Sequence, residues 1–199
     1  TYALAGIAIG PVLLTRFDVF PTLFAVAGLM LLNRPIRSGV MFGFGALLKV
    51  WPAFLVIAHP RRALPKVVAG LIAIAVAVSA LLVSWGPNAG SFLSEQGQRG
   101  LQIESVGGAP YVLANFFGYD LNTMFRYGSL EINAAGAGAI ASFVALAGFA
   151  LLAWLGYARL RGRLERVPAG DIALAIVLIS IATSRVFSPQ YMIWVAGIG

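Results

Sequence analysis

The chain has 199 residues, of which 60% are hydrophobic and 11% charged, with a mean hydropathy of +0.89. So little charge excludes an ordinary water-soluble domain and marks a polytopic membrane protein. There is no cysteine and only one histidine, which excludes disulfides, thiolate chemistry and a histidine-rich metal site, and no cofactor is expected. The net charge of +7 does not point to nucleic acid, because the basic residues fall in loops between apolar runs, where they set topology.

Apolar runs with short polar breaks predict α-helical spans near 2–15, 20–33, 66–85, 134–157, 171–185 and 190–199. The chain opens inside the first run and closes inside the last, so it reads as one transmembrane domain over 1–199, a fragment truncated at both ends. Between the second and third spans, Ser38–Ala58 is long enough to cross once but is interrupted at Lys49-Val50-Trp51-Pro52. Proline removes a backbone donor and disfavours helix at the residue before it, which predicts a broken, re-entrant pair of short helices with Lys49 at the tip. Gly39, Gly43 and Ala46 form one small-residue stripe and Gly136, Ala139 and Phe143 another; both read as helix-packing surfaces.

The stretch 86–131 reads as an external loop. Within it Phe92, Leu93, Gln96, Arg99, Gly100 and Ile103 predict an amphipathic helix lying in the membrane interface. Gly107-Gly108-Ala109-Pro110 breaks it, and a short apolar piece follows over Tyr111–Phe117. Trp51, Trp85 and Trp194 read as interface anchors, with Trp51 alternatively lining a cavity.

Positive-inside bookkeeping places Arg34, Arg37, Arg61, Arg62, Lys66, Arg159, Arg161, Arg163 and Arg166 on one face, taken as cytoplasmic. Arg16, Asp18, Lys49, Arg99, Glu104, Arg126 and Arg185 fall to the other. Rare polar groups at the ends of apolar spans are costly and therefore functional candidates. Asp18 either pairs with Arg16 at a helix start or faces a cavity as a base. Lys49 either snorkels or presents its ammonium as a point charge to a phosphate. Arg99 offers a bidentate fork for the same ligand, and Arg185 is a further anion ligand. Glu104, beside Ser105, either binds sugar hydroxyls or pairs with Arg99; Gln190, beside Tyr191, can both donate and accept. His59 lies among Pro60, Arg61 and Arg62 and is left out of the site.

Four strings occur in order along nearly the whole chain: Arg16-Phe17-Asp18-Val19-Phe20-Pro21, Lys49-Val50-Trp51-Pro52, Gln98-Arg99-Gly100-Leu101-Gln102-Ile103-Glu104-Ser105, and Phe187-Ser188-Pro189-Gln190-Tyr191-Met192-Ile193-Trp194. Together they resemble the membrane-embedded GT-C glycosyltransferases, in particular the bacterial polyprenol-phosphate-mannose-dependent α-mannosyltransferases of glycosyltransferase family 87. The resemblance implies an all-α transmembrane helical bundle of GT-C type, with an active site on the periplasmic or extracellular face of the cell membrane. It implies a polyprenyl-phosphate sugar donor, a glycolipid or glycan acceptor, and inversion at the anomeric carbon. Donor phosphate would then meet Lys49, Arg99 and Arg185, and substrate would meet Arg16, Glu104, Ser105, Gln190 and Tyr191. The family's catalytic acid residue is expected in an external loop upstream of Thr1, so Asp18 is the weaker candidate base and the fragment alone is expected to be inactive. A polytopic transporter or lipid flippase is the rival class, and arabinosyl or glucosyl transfer the rival chemistry.

Overall fold

The computed structural model describes Gly10, Val12, residues 16–85 and residues 99–199. The expected span 2–15 and residues 92–98 of the expected interfacial helix therefore lie outside the described residues, apart from Gly10 and Val12. Of the described residues, 66% are helical and 5% lie in strands. It forms two compact units: Thr1–Gly86 with Leu152–Leu178 and Pro189–Gly199, and Pro87–Leu151 with Ile179–Ser188.

In the first unit, helix α1 (Val19–Met30) turns through Asn33-Arg34 into α2 (Pro35–Leu48), which begins with proline in its first turn, where a missing N–H costs nothing. α2 stops at the predicted break. Pro52 would drive its ring into the carbonyl of Leu48 if the helix continued. Lys49 instead becomes extended (φ −159°, ψ 133°), and the chain resumes as a 3₁₀ segment, Trp51–Ala58. After a short 3₁₀ turn at Arg61–Ala63 comes α3 (Leu64–Trp85). Gly39 and Gly43 pack as their spacing predicts: a Cβ at 39 would strike the Val67 carbonyl, and one at 43 would lie 2.9 Å from the Leu71 carbonyl. Gly70 answers from α3, where a Cβ would strike the Ile36 carbonyl.

The second unit departs from the all-α expectation. Strands β1 (Thr123–Arg126) and β2 (Ser129–Ile132) pair antiparallel, with Arg126 opposite Ser129. The two-residue turn Tyr127-Gly128 has φ 50° and 77°, the doubly positive geometry whose twist suits a hairpin. Residues 99–104, expected to finish a helix, are not helical. Leu101 accepts from Ile132 N–H (2.8 Å) and Ile103 N–H donates to the Leu130 carbonyl (3.2 Å), so this string lies along β2. Helix α4 (Ala109–Phe116) follows, close to the short apolar piece the sequence predicts. Leu101, Ile132, Ala137 and Ala141 form the core of the unit. The last two come from α5 (Ala137–Leu160), which belongs to the first unit only from Leu152 onward. The expected packing stripe on α5 is not the buried one: Gly136, Ala139 and Phe143 are exposed, while Ala137 and Ala141 face inward.

Helices α6 (Ala169–Ala182) and α7 (Tyr191–Ile198) complete the chain; α6 carries Asp171 in its first turn, where the helix dipole favours an acid. Among the described residues, Arg61–Trp85 and Ala137–Leu160 are long and apolar enough to cross a membrane. Only 11% and 17% of their most apolar windows are buried, so both present apolar surface outward, which a soluble core helix does not.

One polar tie in the first unit was read as topology alone. Arg159, near the end of α5, is buried and donates Nε–H to the Ile57 carbonyl (2.9 Å) and Nη1–H to the Leu164 carbonyl (2.8 Å). It thus ties the Ile57 carbonyl, at the end of the 3₁₀ segment, to the Leu164 carbonyl in the turn after α5. Next to it, His59 is fully buried. The Ser38 hydroxyl donates to the Gly28 carbonyl (2.7 Å), so the His59 Nε2 contact with Ser38 (2.8 Å) must be an N–H donated to that oxygen. His59 is therefore neutral, with Nδ1 buried and unpartnered.

Burial, and second the nearby Arg159 charge, push the His59 pKa from 6.5 down to about 4. A depressed imidazole means that the unfolded chain binds one more proton between those values. Stability is then constant above pH 6.5 and falls as pH drops toward 4, by at most about 1.4 kcal/mol per pH unit. Thermal unfolding of the detergent-solubilised protein across pH 4–8 should show this slope, and His59→Gln should flatten it. An equal slope in both proteins would remove His59 from the account.

Candidate functional site

Asp18 ends the turn before α1, and its side chain is 5% exposed. Its backbone carbonyl accepts the Thr22 hydroxyl (2.7 Å), which holds the turn closed. Its Oδ1 accepts the Lys49 ammonium at 2.5 Å and the Trp194 indole N–H at 2.8 Å. Lys49 can reach it because α2 stops one residue earlier and the extended backbone turns the side chain away from the helix axis. Of the two alternatives for Asp18, the Arg16 pair is not formed: Arg16 is exposed, and the partner is Lys49.

The rings around this pair come from α7 and from the 3₁₀ segment. The Lys49 ammonium lies 4.7 Å from the Trp194 centroid and 5.3 Å from that of Tyr191. Tyr191 packs on Trp194 at 4.2 Å, and Trp51 on Trp194 at 5.1 Å. Trp51 and Trp194 are therefore buried in the unit and not interface anchors, whereas Trp85, at the end of α3, is exposed as an anchor requires. Each cation–π contact is worth roughly 0.5–2 kcal/mol, rising with desolvation. Lys49 keeps 31% of its side chain exposed, while the Asp18 carboxylate behind it stays covered. Gln190 directly precedes α7 and is half-buried.

The second unit gathers another group. Arg185 Nη1–H donates to the Arg99 carbonyl (3.1 Å), and Gln102 N–H donates to the Arg185 carbonyl (3.0 Å). The Gln102 amide oxygen accepts Phe187 N–H (2.8 Å). The string around Arg99 is thereby fastened to the segment before Pro189, which is why it is extended and not helical. The Arg99 guanidinium lies 5.8 Å from the Tyr127 ring. Ser105 is buried and spends its hydroxyl on its own turn, donating to the Gln102 carbonyl (2.7 Å) and accepting Gly108 N–H (3.1 Å). Glu104 is exposed, and no Arg99–Glu104 ion pair forms among the described residues.

The candidate residues thus fall into two sets, one in each unit: Arg16, Asp18, Lys49, Gln190 and Tyr191, and Arg99, Glu104, Ser105 and Arg185. Sequence reasoning missed Trp194 as the second donor to Asp18; its position inside the Phe187–Trp194 string was the available signal. It also missed Glu131, buried on β2, which no pattern in the sequence distinguishes from a loop acid. Among the described residues no group of acids and histidine is arranged to hold a metal ion. Comparison with protein families, curated proteins and solved structures yields no match.

Proposed function

We propose that this chain is part of a multi-pass, membrane-embedded glycosyltransferase of GT-C type. It would transfer a sugar, most simply mannose, from a polyprenyl-phosphate donor to a lipid or glycan acceptor on the external face. The observation that supports this reading is a convergence. The strings beginning at Arg16, Lys49 and Phe187, which carry the resemblance, meet on one carboxylate across separations of 31 and 176 residues. Residues that served only to set topology or fill lipid-facing surface would have no reason to do so.

In this reading the anomeric carbon–oxygen bond to the donor phosphate breaks as the acceptor oxygen bonds to the same carbon. Negative charge grows on the departing phosphate, and a fixed cation in a water-poor site stabilises it without reorganising. In the first unit Lys49 supplies that charge; Arg99 and Arg185 are the candidate cations of the second unit. Arg16, Glu104, Ser105, Gln190 and Tyr191 remain the candidate sugar and acceptor contacts. Asp18 orients Lys49 and Trp194 through Oδ1; to act as the base that takes the acceptor proton it would have to use Oδ2.

Purified full-length protein in nanodiscs, given polyprenyl-phosphate-mannose and a mannoside acceptor, should form a mannosylated product without a sealed compartment. Gln190→Ala and Arg99→Ala should each slow turnover by about 10- to 150-fold, the value of one charge-assisted hydrogen bond of 1.5–3 kcal/mol. Transfer of a pentose or glucose alone would keep the enzyme class and reject mannose. No consumption of any lipid-linked sugar, with solute movement in sealed vesicles, would put a transporter in its place.

A further inference from the structure

Glu131 is a buried acid that the site above leaves unused. The residue is 6% exposed, and its Oε1 is buried with no hydrogen-bond donor. A carboxylate withdrawn from water without a donor is costly, so this arrangement demands a partner or a function. The fold holds the group in place from two sides. Its backbone lies on β2, opposite Gln102 in an antiparallel bridge. Its side chain rests against Gly100, where a Cβ would come within 2.6 Å of Oε2. Glycine at 100 is thus the condition for the carboxylate to lie where it does.

The peptide joining Arg99 to Gly100 is also where Arg185 docks, its Nη1–H donating to the Arg99 carbonyl. A guanidinium and a carboxylate are therefore fixed beside one peptide unit, yet no ion pair joins Glu131 to any cation among the described residues. Arg185 Nη1–H is given to a carbonyl, and the Arg99 guanidinium lies by Tyr127. Opposite charges brought this near and kept apart make a bipolar receptor. The cation suits the oxygens of an anion, and the orphaned carboxylate suits the hydroxyl donors of the same ligand.

We infer that Glu131, with Arg185 at the Arg99–Gly100 peptide, is the hydroxyl-recognising half of a site for a hydroxylated phosphate ester. The inference rests on the glycosyl-transfer reading for the identity of that ester, a glycosyl phosphate, and adds to it a specificity-determining carboxylate.

The test uses full-length protein in detergent, titrated by calorimetry with mannose 1-phosphate and, separately, with inorganic phosphate. Glu131→Gln keeps the shape of the side chain, and its unfolding midpoint is measured alongside. The expected result is a loss of tenfold or more in mannose 1-phosphate affinity, with phosphate affinity unchanged. Arg185→Gln should weaken both ligands. Undiminished mannose 1-phosphate binding by a folded Glu131→Gln protein overturns the inference, as does failure of the wild type to bind it. If Glu131→Gln does not fold, Gly100→Ala, which displaces the carboxylate, takes its place with the same expected and overturning outcomes. Binding that depends on Glu131 in a protein that transfers no sugar would keep this site and reject the enzyme. Turnover with a wild-type KM in Glu131→Gln would do the reverse.

Discussion

Lys49→Met in the full-length protein should lower stability by about 3 kcal/mol and, under the proposed reading, abolish sugar transfer; adding Asp18→Asn should restore the stability but not the transfer. The first loss arises because methionine leaves the Asp18 carboxylate buried without its counter-charge. Breaking a buried pair costs roughly 3–5 kcal/mol, and the lower end applies because Lys49 keeps 31% of its side chain exposed. Asparagine removes the stranded charge and still offers an oxygen to the Trp194 indole, so the double variant regains what the single one lost. Under the proposed glycosyl-transfer reading, activity stays absent because the cation held by Asp18 is gone and the asparagine does not replace it. Unfolding midpoints and turnover for both single variants and the double complete a thermodynamic cycle. A loss in the double variant equal to the sum of the two single losses would mean that the ion pair contributes nothing. Transfer by Lys49→Met would reduce Lys49 to a structural cation.

Gly39→Ala and Gly138→Ala should shift stability in opposite directions. A methyl at 39 meets the Val67 carbonyl, which is backbone and cannot swing aside. The helices must part, at a cost of about 1–3 kcal/mol, and Gly39→Leu should prevent α2 and α3 from closing at all. Nothing lies within 4 Å of a Cβ at 138 in α5, so alanine there gains only helix propensity, about 0.5–1 kcal/mol. Unfolding of the three variants in one detergent checks this. A neutral Gly39→Ala would show that α2 and α3 do not approach as closely as described.

The helices, the break at Lys49 and the close approach at Gly39 and Gly43 were legible because each follows from a local rule: apolar length, proline geometry, small-residue spacing. The hairpin was not. Its turn is Tyr127-Gly128 where asparagine or aspartate before glycine is the usual signal, and its strands are four residues each, too short for alternation to register. The Arg99–Ser105 string was misread for a related reason. Its apolar spacing suits a helix, but its backbone groups are claimed by β2 and Arg185, which are distant in sequence. Arg159 and Arg161 show the limit of positive-inside counting: two residues apart, one is buried on backbone carbonyls and the other exposed. Asp18 stands out in the sequence as a rare acid at the end of an apolar span, while its partners Lys49 and Trp194 could be known only from the fold.

The contacts on Asp18 also impose an order of assembly. Synthesis runs from the N-terminus, so Lys49 can join Asp18 as soon as α1 and α2 are made, since only 31 residues separate them. The Trp194 indole, 176 residues away, cannot arrive until α7 has been synthesised. The two opposite charges can therefore neutralise each other before the rings that cover them exist. The aromatic rings then close over a pair that is already formed, so the finished cluster records whether α1, α2 and α7 have all reached their places.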